Sequence, residues 1–138
     1  MVPWHPSIVH FPIALAAMAA LFQLLAVITR KSHFTVSALV ALAVGAGMAF
    51  VAAITGTAQE EAAKRVPGIE AALERHELFG TLGAAIMLAL SFAAFYLHMK
   101  KILPPRLFLA ALVALAVLLL ATGFLGGELV YIHGAGRL

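Results

Sequence analysis

The residues best suited to chemistry in this sequence are its histidines. Of the six in 138 residues, His5, His10, His76 and His133 fall beside the ends of long apolar stretches. Imidazole binds metals through its neutral ring nitrogens and ligates haem iron from facing helices. The chain contains no cysteine, so a bound metal must rely on His, carboxylate or Met, and a c-type CXXCH attachment is absent. A haem here would be held noncovalently, as haem b. The same histidines, with Glu128, could instead bind zinc, copper or iron directly, since imidazole suits all three. In a third reading they bind nothing and serve interface packing in a structural or partner-binding membrane subunit. No nucleophile and base arrangement, phosphate loop or useful pair of carboxylates occurs. No catalytic residue is therefore assigned; an enzyme is left open, and redox catalysis could follow from a cofactor.

The elements that must carry these side chains are apolar and long. With 64% hydrophobic and 11% charged residues, the chain departs from an average soluble domain, which is about a quarter charged. Four apolar stretches, near residues 11–29, 34–55, 79–99 and 107–125, each hold about 20 residues, enough to cross a hydrocarbon core of roughly 30 Å. Little chain is left for anything else. The expectation is an all-α, up-and-down four-helix transmembrane bundle, one domain over residues 1–138. No Lys or Arg precedes the first stretch and no small-residue cleavage site follows it, so it reads as a retained helix and not a signal peptide. The net charge of +3 comes from residues that flank spans, which argues for membrane topology and against nucleic acid. Lipid is the expected surroundings, and the sequence leaves a homo-oligomer open.

Loop charges set the expected orientation. Arg30 and Lys31 follow the first span, and Lys100, Lys101 and Arg106 lie between the third and fourth, with no acidic neighbour. Lys and Arg near span ends are retained in the cytoplasm. The opposite end, with both termini, is then outer, or periplasmic if the membrane is a bacterial inner membrane. There Lys64, Arg65 and Arg75 mix with Glu60, Glu61, Glu70 and Glu74. Trp4 and Tyr131 are placed at the outer interface and Tyr96 at the inner one. Pro67-Gly68 and Pro104-Pro105 break the second and third connections. Residues 69–75 fit either an amphipathic surface turn or an outward extension of the third helix. Pro3, Pro6 and Pro12 suggest a stiff, partly extended approach to a helix opening at His10, with an earlier, kinked helix as the competing picture.

On this map the outer end collects His5, His10, His76 and His133. His10 opens the first helix, His76 opens the third and His133 closes the fourth. Gly80 lies one turn from His76 and Gly126 two turns from His133, leaving room either for close helix packing or for something flat such as a porphyrin. Helices 1 and 3 are diagonal in such a bundle, so His10 and His76 are the preferred axial pair, with His133 the competitor and His5 nearby. Glu128 can orient a coordinating imidazole, bind a metal, or pair with Arg75 or Arg137. His98 lies about 33 Å along the helix from His76 and, with His33, reads as an inner interface residue. Gln23, placed at the bilayer centre, reads as an interhelical hydrogen bonder, and Gly45 with Ala49 as a close helix contact.

Three segments, HPSIVHFPIAL at 5–15, HELFG at 76–80 and GGELVYIHGAG at 126–136, resemble bacterial predicted membrane proteins filed as domain of unknown function 2231. The resemblance covers nearly the whole chain. It implies a four-helix membrane domain, sometimes associated with redox proteins, whose motif histidines correspond to His5, His10, His76 and His133. It implies no activity. From the placement of the outer histidines and their adjoining glycines, the leading expectation is a b-type cytochrome-like electron carrier with haem near the outer surface, exchanging electrons with quinol or an external redox protein.

Overall fold

The computed structural model describes residues 4–135. The chain forms α1 (Trp4–Ile8), α2 (His10–Thr29), α3 (Ser32–Ala63), α4 (Glu70–Met99) and α5 (Pro105–Tyr131), with no strand among the described residues. Helices α1 and α2 form one run, Trp4–Thr29, interrupted at Val9. The interruption has a local cause. Pro12 has no N–H to give the Ile8 carbonyl, and its ring crowds that carbonyl. The Val9 N–H still reaches the His5 carbonyl, at 3.1 Å, which carries the helix across the break. The extended N-terminal approach is therefore replaced by helix from Trp4 onward; Pro3 lies outside the described residues.

The four runs contain 26, 32, 30 and 27 residues and are each long and apolar enough to cross a membrane. At the third connection Pro105 occupies the first turn of α5, where a missing N–H costs nothing. At the second, Gly68 takes a positive φ of 77°, a conformation glycine adopts without a Cβ clash, and it turns the chain after Pro67. Residues 70–75 extend α4 outward. They are held there because Ile69, Ala72 and Leu73 bury against Leu129 of α5. The first connection is tight: Arg30 caps α2 in the left-handed region, φ 59°, with its N–H on the Ala26 carbonyl at 2.9 Å.

Helix α2 packs against α3 and α5, and α4 packs against the same two, so α2 and α4 stand diagonally. The sizes of the packed residues show which solvent the bundle is built for. Its interior is rich in alanine, including Ala16, Ala19, Ala38, Ala46 and Ala49. Many large side chains face out: Phe124 is 77% and Phe92 70% exposed. In water that arrangement would forfeit most of the hydrophobic driving force, about 25 cal/mol per Å² of apolar surface left wet. In lipid nothing is lost by it, and small residues let helices approach closely. Glycine extends the principle. A Cβ on Gly45 would run into the methyl end of Met87 and stand 3.1 Å from Leu15 Cβ, and one on Gly83 would lie 2.7 Å from Leu119 Cδ2.

One depth assignment changes. Gln23 is fully buried and its Nε2 donates to the Pro105 carbonyl at 3.0 Å. It bridges α2 and α5, as expected of a polar residue in lipid, but at the level where α5 begins and not at mid-bundle. Because the first run starts at Trp4, residue 23 falls toward its far end.

Close packing at Gly45 is directly testable. Gly45→Val should lower the unfolding midpoint in detergent or lipid, consistent with an overpacking cost of about 1–3 kcal/mol. Gly47→Ala, where an added Cβ meets nothing within 4 Å, should leave it unchanged or raise it. Equal midpoints for Gly45→Val and the parent would contradict this packing.

Candidate cofactor site

Two imidazoles come together where α1 and α4 meet the ends of α3 and α5. The His5 and His76 ring centroids are 6.1 Å apart and the ring planes are 82° from parallel. His5 Nδ1 donates to the Ala52 carbonyl at 2.9 Å and lies 3.2 Å from the Thr55 hydroxyl oxygen. That hydroxyl gives its own proton to the carbonyls of Val51 and Ala52, so it can only accept from His5. His76 Nδ1 donates to the Thr122 carbonyl at 3.2 Å. Both rings are half-buried.

Each ring rests against a glycine. A Cβ on Gly56 would stand 3.0 Å from His5 Cε1, and one on Gly126 would stand 3.0 Å from His76 Cε1. The flat object that Gly126 admits is thus an imidazole of this chain. Gly80, one turn along α4 from His76, faces the Thr122 methyl, 3.7 Å from where its Cβ would be, and serves the approach of α4 to α5.

The hydrogen bonds fix the chemistry of the rings. A carbonyl oxygen only accepts, so each Nδ1 carries a proton, and in the neutral ring Nε2 then keeps its lone pair. Metal-ligating histidines commonly have this form, with one nitrogen tied to a carbonyl and the other turned to the metal. Two imidazoles on opposite sides of one metal, each bound at about 2 Å with the ring centre roughly 1 Å behind the nitrogen, have centroids about 6 Å apart. The observed separation matches that figure.

The other candidate residues are placed as follows. His10 is exposed, and its Nδ1 bonds the Pro6 carbonyl at 2.6 Å within its own helical run. Five residues of helix rotate a side chain by about 140° from the starting face. With His5 turned inward, His10 therefore turns away, and the pair brought together is His5 with His76, not His10 with His76. His133 is half-buried at the end of α5, its Nε2 3.9 Å from Glu128. Glu128 also lies 3.8 Å from Arg75, so the carboxylate has two cationic or potentially cationic neighbours. Arg137 lies outside the described residues. Among the described residues, no three His, Asp or Glu side chains form a group that could hold a metal ion. At the opposite end, His33 packs on Phe34, with centroids 4.3 Å apart, and Lys100 lies over the Tyr96 ring at 5.7 Å. Near the α3–α4 turn, Glu60 pairs with Lys64 and holds its ammonium above the usual lysine range.

Ala52, Thr55, Gly56 and Thr122 were not singled out from the sequence. A signal exists for two of them. Thr55-Gly56 and Thr122-Gly123 are small, polar pairs near the ends of otherwise apolar stretches that run toward the histidine-bearing end. Nothing in the sequence marks the carbonyls of Ala52 and Thr122, because any residue type supplies one.

Over residues 1–137 the chain matches the family described as predicted membrane protein (DUF2231), and it belongs to that family. No curated protein and no solved structure matches it.

The tautomers are open to measurement. Nitrogen-15 NMR of histidine-labelled protein at neutral pH should show His5 and His76 as the Nδ1–H form, the minor form of free imidazole. Thr55→Val should shift His5 and leave His76 unchanged. Finding Nε2–H at both rings would contradict the hydrogen bonding described.

Proposed function

We propose, starting from a membrane protein of this family, that the chain is a b-type cytochrome-like electron carrier in which His5 and His76 supply the two axial ligands of one haem. The observation that carries this reading is the 6.1 Å ring separation, together with the tethering of both Nδ1 atoms to carbonyls. The two Nε2 atoms, which have no hydrogen-bond partner among the described residues, would hold the iron. Haem supplies a one-electron couple when bound, and the chain's own residues hold it. Ala52, Thr55 and Thr122 fix ring orientation, while Gly56 and Gly126 let the rings sit close to neighbouring helices. Glu128, His133 and Arg75 form a polar group near the site and are not ligands in this reading.

A pair of imidazoles favours haem over a nonhaem ion. Structural zinc takes four protein ligands and catalytic zinc commonly three, and no such group occurs among the described residues. A porphyrin brings four nitrogens of its own and needs only two from the protein. The residues present therefore suit haem better than zinc, copper or nonhaem iron.

In this reading the bundle threads up and down through a bacterial inner membrane. The basic connections, with Arg30, Lys31, Lys100, Lys101 and Arg106, face the cytoplasm by the positive-inside rule. Both termini and the histidine pair then lie on the outer side. Quinol or an external redox protein exchanges electrons there.

Protein purified from haem-replete cells should show a Soret band that shifts on dithionite reduction. His5→Ala and His76→Ala should each remove at least nine-tenths of the bound haem, while His10→Ala and His133→Ala retain it. A colourless parent protein, or haem retained after His5→Ala, would overturn the assignment. Metal analysis of the same preparations separates haem iron from zinc or copper.

A further inference from the structure

The end of the bundle away from the histidine pair holds two adjoining cavities. One, of about 240 Å³, is lined by Gln23, His98 and Lys101 with Ser32, Thr35 and Pro105. The other, of about 390 Å³, shares Ser32, Thr35 and Pro105 and adds Arg30, Lys31 and Arg106. Four cationic side chains thus surround this space, and no acidic residue lines either cavity. Its remaining walls include Ala26, Val27 and Leu103, apolar groups at the edge of the spanning region.

Gln23 supplies a second, independent observation. It is completely buried, and its Nε2 is satisfied by the Pro105 carbonyl. Its Oε1, however, has no hydrogen-bond partner among the described residues. Buried amide oxygens are rarely left this way, because the lost hydration is not returned. The oxygen belongs to a side chain lining the cavity, and an oxygen of this kind requires a donor. The cations around it require an anion. A single ligand that meets both demands is an anionic group carrying a hydroxyl.

We propose that this cavity binds a hydroxyl-bearing phosphate ester, taken from the lipid as the headgroup of phosphatidylglycerol. Lys101, Arg106, Arg30 and Lys31 meet the phosphate, and a headgroup hydroxyl donates to Gln23 Oε1. Basic pockets between helices on the cytoplasmic side are suited to anionic headgroups, and the apolar walls accept the start of the acyl chains. The site is independent of the histidine pair, so its success or failure does not bear on haem binding.

The test is native mass spectrometry of the full chain, released from nanodiscs that contain phosphatidylcholine with an equal fraction of phosphatidylglycerol or phosphatidylmethanol. Phosphatidylmethanol has the same singly charged phosphodiester but no headgroup hydroxyl. Phosphatidylglycerol should be retained over phosphatidylcholine by at least about 10-fold, and over phosphatidylmethanol by about 5-fold. Gln23→Leu should erase the preference over phosphatidylmethanol and leave the preference over phosphatidylcholine. Arg106→Gln, at an exposed position, should weaken retention of both anionic lipids while the protein stays folded. Equal retention of phosphatidylglycerol and phosphatidylcholine by the parent would overturn the proposal, as would an unchanged ranking in Gln23→Leu. If glycerol 3-phosphate in solution displaces phosphatidylglycerol at millimolar concentration, the lipid source is overturned in favour of the free phosphate ester.

Discussion

Within a hydrocarbon solvent, every polar group on a helix must be met by protein, and that requirement governs where the few polar side chains of this bundle sit. The two imidazoles of His5 and His76 meet it through Nδ1, each on a carbonyl or hydroxyl of a neighbouring helix. This leaves one lone pair per ring with no protein partner assigned by the hydrogen bonds. Each ring thus satisfies half of its polar capacity on a neighbouring helix, and the two rings stand 6.1 Å apart. Thr55, Thr57 and Thr122 follow the same rule by returning their hydroxyl protons to carbonyls one turn back.

The same solvent sets the packing. Because lipid tails are as apolar as leucine, the helices gain nothing by hiding large side chains from them. They gain by closeness, and so alanine and glycine share the interior with a few leucines, Met87 and Phe108, while many other large side chains point out. Close approach then gives backbone carbonyls of one helix to side chains of the next. Gly56 and Gly126 admit rings that a larger residue would have pushed away. Tight packing and the hydrogen bonding of the histidines are consequences of one composition.

Much of this was legible in the sequence because it depends on long runs and on breakers. The four spans, the turn at Pro67-Gly68, the stop at Pro104-Pro105 and the contact role of Gly45 follow from length, imino-acid chemistry and the absence of a Cβ. The gathering of histidines at one end follows from counting spans. The identity of the pair did not follow. It depends on where the first helix begins, and a helix that starts at Trp4 and not His10 rotates His5 inward and His10 outward. The depth of Gln23 shifted for the same reason. The Ala52 and Thr122 carbonyls could not be read at all, since a backbone acceptor carries no residue signature.

The two ends of the bundle are chemically unlike. One brings neutral imidazoles together among small residues; the other surrounds a buried, unpartnered amide oxygen with cations. The central proposal concerns the first. Its most direct test is electron paramagnetic resonance of the oxidised, haem-loaded protein, because the spectrum responds to the number of axial imidazoles and to the angle between their planes. Ligand rings held 82° from parallel would leave two iron d orbitals nearly degenerate. The account therefore predicts a low-spin signal with a single, strongly anisotropic low-field feature, lost in His5→Ala. A high-spin signal, or a low-spin signal that survives in His5→Ala, would contradict it.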